Sequence, residues 1–196
     1  MSLNTQDFLV KGGETWHPTL RWGLEPLTSV PITAITQAAP AAITASAHGV
    51  PNGWPVAITG AAGMTQINAA HYPPRGEDWQ TSQVLDTNTV ALQDVSSATY
   101  TAYLTGGFLV YRTPAPLVGI NFTLSVWDSP ERTDTPLLTL TSPDGIAVDL
   151  TAMTLTPVLQ SASLPWTQGY YTLSATDPGS GIVTELLDGV LTLEWA

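Results

Sequence analysis

Residues 48–68, HGVPNGWPVAITGAAGMTQIN, bring a histidine and two glycine-bearing turns together, a composition that is found in catalytic and phosphate-binding loops. A phosphate-binding loop requires a lysine and a helix that begins directly after the loop. The single lysine of the chain is Lys11, which lies well outside this stretch. We therefore interpret residues 48–68 as structural rather than catalytic.

The same stretch predicts turns and a small core. Gly49 and Gly53 are expected to supply positive φ angles at turns. Asn52–Gly53 is a strong hairpin signal. Two apolar side chains, Met64 and Ile67, are expected to fill the small core.

Residues that ligate metals or act as nucleophiles are scarce. The chain has no cysteine, which excludes disulfides, thiolate metal sites and a cysteine nucleophile. A zinc site needs three or four converging ligands, but His17, His48 and His71 show no close spacing. We expect His48 to hydrogen-bond its own turn. Ser180 lacks the G-x-S-x-G frame of a nucleophile elbow, and the acidic stretch 128–134, DSPERTD, lacks the ligand spacing of a calcium loop.

Acidic residues are plentiful, but their positions do not indicate catalysis. Two carboxylates that hydrolyse a glycosidic bond must face one another across a cleft. Here the acids cluster in predicted loops, where a solvated carboxylate is the ordinary finding. We predict that the chain is not an enzyme and has no catalytic residues, no cofactor and no metal site.

Aromatic side chains are the remaining candidates for a binding site. Five of the seven tryptophans fall in the flanking strands, where burial in a core or an interface is expected: Trp16, Trp22, Trp127, Trp166 and Trp195. Trp54 and Trp79 fall in predicted loops, close in sequence to Tyr72. Exposed aromatics anchor neighbouring subunits or stack on sugars. We favour interface anchoring for these three residues over sugar stacking.

The composition limits the classes of partner. Only 11% of the residues are charged, against about 25% in an average soluble domain. Because interface centres are depleted in charge, this fits a subunit embedded in an assembly, and it also fits an extracellular particle. The net charge is −11 with five basic residues, too few for a cationic patch that binds nucleic acid or an anionic membrane. We expect neither partner.

The sequence also predicts a soluble protein. Its start, MSLNTQDFLVKGG, has no basic head followed by an apolar core, so we expect no signal peptide. No uninterrupted apolar run approaches the roughly 20 residues that a membrane helix needs.

The elements that must position these side chains are predicted to be β-strands. Apolar and polar residues alternate in 15–23 (TWHPTLRWG), 119–128 (GINFTLSVWD) and 189–195 (GVLTLEW), a period of two that is typical of strands. Turn formers separate such runs, for example SPDG at 142–145 and DPGSG at 177–181. We predict an all-β fold.

Two proline-rich stretches, 26–41 and 112–118, suggest domain boundaries. The segment between them is dense in Ala, Thr and Gly, whereas the flanks carry longer alternating strands. The pattern alone leaves open whether the units are consecutive or one is inserted in another.

The middle segment resembles a small β-domain of bacteriophage structural proteins, the module similar to the FCCH domain of ubiquitin-activating enzymes. The resembling residues are ITAITQAAPAAITASAHGVPNGWPVAITGAAGMTQINAAHY at 32–72 and TNTVALQDVSSATYTAYLTGG at 87–107. This sequence departs from the family at 71–84 and at Trp54–Pro55, where the family more often has Gly-Asp.

The flanks resemble the immunoglobulin-like N-terminal domain of phage baseplate upper proteins. The similar stretches are FLVKGGETWHPTLRW at 8–22, INFTLSVWDSPERTDTPLLTLTSPDGIAVD at 120–149 and LPWTQGYYTLSATDPGSGIVTELLDGVLTLEW at 164–195. The two resemblances imply a discontinuous immunoglobulin-like β-sandwich, formed by residues 1–31 and 113–196. A small β-barrel-like module, residues 32–112, would be inserted in it.

Both resemblances imply a virion structural protein of a tailed bacteriophage, most simply a tail, baseplate or tail-adaptor protein. Its partners would be other virion proteins and copies of itself in a symmetric ring, and it would be assembled into the virion in the host bacterial cytoplasm. Neither family contributes catalytic residues. The alternatives are a carbohydrate-binding host-recognition module and a capsid decoration protein.

Overall fold

The computed structural model describes residues 4–161 and 164–194. Within these residues the chain forms β-strands and two short 3₁₀ turns, so the all-β prediction is confirmed. None of the described helical segments is long and apolar enough to cross a membrane.

The strands of the described residues are numbered in chain order. They are β1 (Asn4–Thr5), β2 (Phe8–Lys11), β3 (Thr15–Trp16), β4 (Gly23–Pro31), β5 (Ala34–Ile35), β6 (Ala41–Thr44), β7 (Pro55–Thr59), β8 (Gln80–Asp86), β9 (Thr89–Leu92), β10 (Phe108–Pro114), β11 (Asn121–Trp127), β12 (Leu138–Thr141), β13 (Ile146–Asp149), β14 (Thr154–Pro157), β15 (Leu159–Gln160), β16 (Gln168–Thr176) and β17 (Val183–Glu194). The 3₁₀ turns are Thr65–Ile67 and Gly76–Asp78.

The chain divides into two compact units, Met1–Trp22 with Pro116–Ala196, and Gly23–Ala115. In the first unit the main sheet has the order β1–β17–β16–β11–β12, and β2 also pairs with β17. Both β1 and β2 run parallel to β17, whereas the other neighbours are antiparallel. Two small ribbons, β13–β14 and β3–β15, complete this unit.

The core of the first unit lies between the main sheet and the small ribbons. Side chains from β11, β16 and β17 pack with Ile146 of β13 and Leu155 of β14 in one buried cluster. The burial along β11 alternates, as its sequence predicts: Phe122, Leu124 and Val126 are buried and their neighbours are not. The inward direction of Leu191 and Leu193 on β17 is likewise confirmed, while Trp195 lies outside the described residues.

The second unit is built on one seven-stranded antiparallel sheet of order β4–β10–β7–β8–β9–β6–β5. Its first and last strands, β4 and β5, are separated by only Ile32 and Thr33 in the chain. Ile32 donates its N–H to Gly107 O and Thr33 donates to Thr44 O. The chain therefore runs directly from one end strand of the sheet to the other, around a small apolar core.

The boundary between the units differs from the one expected from sequence. The resemblances group residues 23–31 with the flanks, but β4 pairs along its length with β10 and so belongs to the second unit. The division falls after Trp22 and after Ala115 instead of after residues 31 and 112. Pro26 and Pro31 lie in β4, an edge strand of the sheet, rather than in a linker. An edge strand tolerates a missing N–H.

Candidate interaction site

Trp54 is a core residue, so the prediction that it is an exposed aromatic is wrong. Its side chain is only 2% exposed, and its Nε1–H donates to the carbonyl oxygen of Arg112 at 2.8 Å. The turn before it is docked on β8, because Gly53 donates its N–H to Ser82 O at 2.8 Å. A buried indole with a satisfied N–H stabilises the unit and cannot meet a partner or a sugar.

The turn that leads to Trp54 is held by His48. The buried imidazole accepts the Val50 N–H at Nδ1 and lies 3.0 Å from Asp86 O through Nε2, which fits the Nε2–H tautomer. The expected bond from His48 to its own turn is thus confirmed, as are the positive φ angles of Gly49 and Gly53.

The expected hairpin at Asn52–Gly53 is wrong. The strands on either side of it, β6 and β7, do not pair with each other. Asn52 Oδ1 instead accepts the Val84 N–H at 3.0 Å, which fastens the turn to β8. Met64 is fully buried as expected, whereas Ile67 is half-buried in a 3₁₀ turn.

Residues 70–79 form a loop that is braced from within by one carboxylate. Asp78 Oδ1 accepts the Ala70 N–H at 2.8 Å, and Oδ2 accepts the Arg75 N–H at 2.9 Å. His71 Nδ1 donates to the same Oδ2 at 3.0 Å. The Arg75 N–H contributes most to lowering the pKa of Asp78, burial opposes it, and the Ala70 and His71 bonds add to the lowering.

The braced loop presents Tyr72 to solvent. Its side chain is 73% exposed, while the carboxylate of Asp78 beneath the loop is buried. The loop conformation is therefore fixed before any partner arrives, and Tyr72 meets the expectation of an exposed aromatic.

Trp79, at the end of this loop, is half-buried and partly covered. The guanidinium carbon of Arg112 lies 5.2 Å from the centre of its ring, within cation–π range. Arg112 Nε also donates to Glu25 Oε1 at 2.9 Å. Arg112 thus contacts both tryptophans. Its carbonyl oxygen accepts from the Trp54 indole, and its guanidinium lies over the Trp79 ring.

The acidic stretch 128–134 has a structural role that its sequence does not indicate. Arg132 donates to Glu185 Oε1 at 2.8 Å and to Asp188 Oδ2 at 3.0 Å, both on β17. Its guanidinium carbon also lies 5.9 Å from the centre of the Trp127 ring. The stretch therefore fastens its own loop to the sheet.

Other residues considered for chemistry have local structural roles. Ser180 Oγ donates to Asp177 Oδ2 at 2.7 Å inside a turn. Among residues 4–161 and 164–194, no three or more His, Asp or Glu side chains group in a way that could hold a metal ion.

The bracing of the 70–79 loop gives a pH-dependent prediction. Because the folded-state pKa of Asp78 is lowered, its stabilising effect is present above its ordinary pKa of about 3.9 and is lost as the pH falls through the folded value. Replacing Asp78 with asparagine should lower the thermal midpoint at pH 7 and reduce the loss of stability between pH 5 and pH 2.5. Thermal unfolding monitored across this pH range measures both effects.

Asp94→Asn is the matched control, since Asp94 is an exposed acid of the same unit. It should leave both the midpoint and the acid profile close to those of the unmodified chain. Equal acid profiles for Asp78→Asn and Asp94→Asn would contradict the bracing role.

Sequence reasoning identified Tyr72 but missed the residues that support it. Asp78 bonds to groups within eight residues of itself, and the Arg75–Asp78 spacing of a capping box was the local signal that could have found it. The Arg112–Glu25 pair beside Trp79 joins strands that are distant in the chain, and no local motif indicates it. Comparison with models of known protein families and with curated proteins finds no match to this chain.

Proposed function

We propose that the chain is a non-enzymatic structural component of a tailed-bacteriophage virion that acts by protein–protein assembly in the tail, baseplate or tail adaptor. Support comes from two resemblances. Residues 32–72 and 87–107 resemble the FCCH-like module of phage proteins, and the flanking strands resemble an immunoglobulin-like baseplate domain. Its partners are other virion proteins and copies of itself in a closed ring.

The observation that carries an assembly role is the exposed Tyr72 on a loop braced by Asp78. A tyrosine buries a large area on binding while losing little conformational freedom. When the loop is already ordered, the entropic cost of association is smaller. Such side chains are the usual energetic centres of protein interfaces.

The remaining surface also fits a subunit that is covered by neighbours. Only 11% of the residues are charged, and several large apolar side chains among the described residues are exposed. These are Leu9, Leu24, Leu85, Leu104, Phe108, Val118, Leu137, Leu150, Val158, Ile182 and Val183. Interfaces bury such side chains and are poor in charge at their centres.

Carbohydrate recognition is the alternative function that an exposed aromatic allows. Stacking on a sugar needs an open ring face, and Tyr72 offers one. Trp54 is buried and Trp79 lies beneath Arg112, so two of the three candidate rings are not freely available. This favours interface anchoring. A capsid decoration protein would use the same anchoring chemistry at another place in the particle.

A substitution at Tyr72 tests the assembly role. If Tyr72 anchors an interface, Tyr72→Ala should lower the number of copies incorporated into virions about tenfold, the effect of a moderate interface hot spot. Quantitative mass spectrometry of purified particles measures this number. Tyr72→Phe keeps the ring and is the matched control, with incorporation close to that of the unmodified chain.

Unchanged incorporation of Tyr72→Ala would show that this side chain is not an anchor. Circular dichroism of the purified variants checks that both substitutions leave the fold intact. If Tyr72→Ala enters the particle normally but adsorption of the particle to host cells falls, the sugar-binding alternative takes the place of the anchoring role.

A further inference from the structure

Residues 4–11 form a strand segment that fills one edge of the main sheet in the first unit. β1 and β2 follow β17 in a single parallel register, with Asn4 opposite Leu187 and Phe8 opposite Leu191. Gln6, which lies between β1 and β2, also holds the segment, because its carbonyl oxygen accepts from Tyr171 Oη at 2.7 Å.

The segment carries part of the core with it. Val10 is buried in the same cluster as the inward side chains of β16 and β17. The Phe8 ring centre lies 5.1 Å from that of Trp16 and 5.9 Å from that of Tyr171. A form of the protein in which the segment has left β17 therefore exposes this part of the core unless another strand fills the site.

The segment pairs with one strand, and at its end Lys11 O also accepts from Ser161 Oγ at 2.9 Å. Among the described residues, β2 pairs with β17 alone, and an open groove of about 320 Å³ lies beside it. Residues 9–11 and 14–18 line the groove. Release of the segment from β17 thus requires the loss of one ladder rather than two.

A glycine pair connects the segment to the next strand. Glu14 donates its N–H to Lys11 O at 3.2 Å, which closes a tight turn around Gly12 and Gly13. Gly13 has a φ of 87°, and no atom lies within 4 Å of the position that a Cβ would take. No side chain packs against Gly13, so the turn is held by hydrogen bonds alone. Gly12 donates its N–H to Glu194 O at 2.7 Å, and Ser161 Oγ donates to Lys11 O at 2.9 Å and to Glu14 O at 2.5 Å. The turn opens when these bonds break.

We propose that segment 4–11 exchanges between copies of this chain, so that each copy completes its main sheet with the strand segment of a neighbour. The donated segment occupies the same site in both forms, so the exchanged form keeps the pairing of β1 and β2 with β17. What changes is the turn at Gly12–Gly13, whose two ends Ser161 Oγ bridges in the closed form. The partner is a second copy because the site is complementary to this segment: its register, the Gln6–Tyr171 bond and the Val10 pocket are already those of residues 4–11.

Strand exchange would link the subunits of the assembly, so it deepens the proposed function and rests on it. Its test uses the purified chain without virions. A negative result would therefore leave the particle experiments untouched, and a failure of the virion role would leave the exchange measurable.

The absence of cysteine from the chain allows a clean cross-linking test. Leu9 faces Thr192 across the β2–β17 pair, and both side chains are exposed. The variants L9C and T192C are prepared separately, mixed, unfolded together, refolded at high concentration and oxidised. Exchange predicts a disulfide-linked heterodimer on a non-reducing gel, in clear excess over the product of mixing L9C with I182C, whose residue is as exposed as Leu9.

The double variant L9C/T192C shows that the two positions can react, because they face each other in the closed and the exchanged forms. It should oxidise completely. If the double variant oxidises but the mixed single variants give no heterodimer above the L9C–I182C control, the exchange proposal is wrong.

A second variant shifts the equilibrium in a known direction. When the chain keeps its own segment on β17, an alanine at position 13 must adopt a left-handed φ. This strain shifts the equilibrium between the closed and the exchanged forms about tenfold toward exchange for each turn. An opened turn removes the strain. Adding Gly13→Ala to both single variants should therefore raise the heterodimer yield. An unchanged or lower yield would contradict a hinge at this turn.

Discussion

Replacing Trp54 with alanine is expected to destabilise the second unit by about 3–5 kcal/mol, the usual cost of removing a large buried aromatic side chain. The indole is almost fully enclosed and its N–H is bonded to Arg112 O. The substitution leaves a large cavity and removes the hydrogen bond to Arg112 O. Since whole domains are stable by only about 5–15 kcal/mol, this one change removes a large fraction of the total.

Urea unfolding followed by circular dichroism measures the loss. Trp54→Phe is the matched control: it keeps most of the ring but loses the bond to Arg112 O, so we expect a smaller cost of about 1–3 kcal/mol. If Trp54→Ala unfolds at the same urea concentration as the unmodified chain, Trp54 is not part of the core and its role as an exposed anchor must be considered again.

Alanine at position 189 should detach the segment 4–11 from β17. A Cβ added to Gly189 would lie 2.1 Å from Gln6 O and 2.7 Å from the Gln6 carbonyl carbon. Both are backbone atoms, so the strand itself must move. We expect a loss of about 3 kcal/mol, the upper end of the usual cost of inserting a group into a packed site, and faster amide exchange at residues 8–11.

Gly119→Ala in the same unit separates the steric effect from backbone strain. Gly119 has a φ of 76°, with no atom near the position of a Cβ, so its substitution should cost only about 1–2 kcal/mol. Hydrogen–deuterium exchange and urea unfolding compare the two variants. Equal losses, with no local change in exchange at residues 8–11, would show that the close approach of Gln6 to Gly189 does not hold the segment.

The strands could be predicted where their burial is decided by local alternation. Phe122, Leu124 and Val126 point inward because every second residue of a strand faces the same side. The run at 15–22 alternates equally well, yet only Thr15–Trp16 forms a strand and Leu20 a single bridge to Leu155. Pro18 lies between them and has no N–H with which to continue a ladder.

The candidate site could be predicted only in part, because its geometry depends on contacts between distant residues. Tyr72 could be placed at the surface because turn formers surround it in the sequence. Trp54 has similar neighbours, but the loop that contains it is docked on β8 by Gly53 and Asn52. The ion pairs of Arg112 with Glu25 and of Arg132 with β17 join residues more than fifty positions apart, and local patterns do not encode them.

The most direct test of the proposed virion role is to count and locate the chain in purified phage particles. Quantitative mass spectrometry gives the copy number, and labelling of intact particles under the electron microscope gives the position. An assembly protein of the tail or baseplate predicts a few to a few tens of copies, as expected for closed rings, with label at the tail end. Hundreds of copies over the head would move the protein to the capsid, and absence of the chain from purified virions would contradict the structural role.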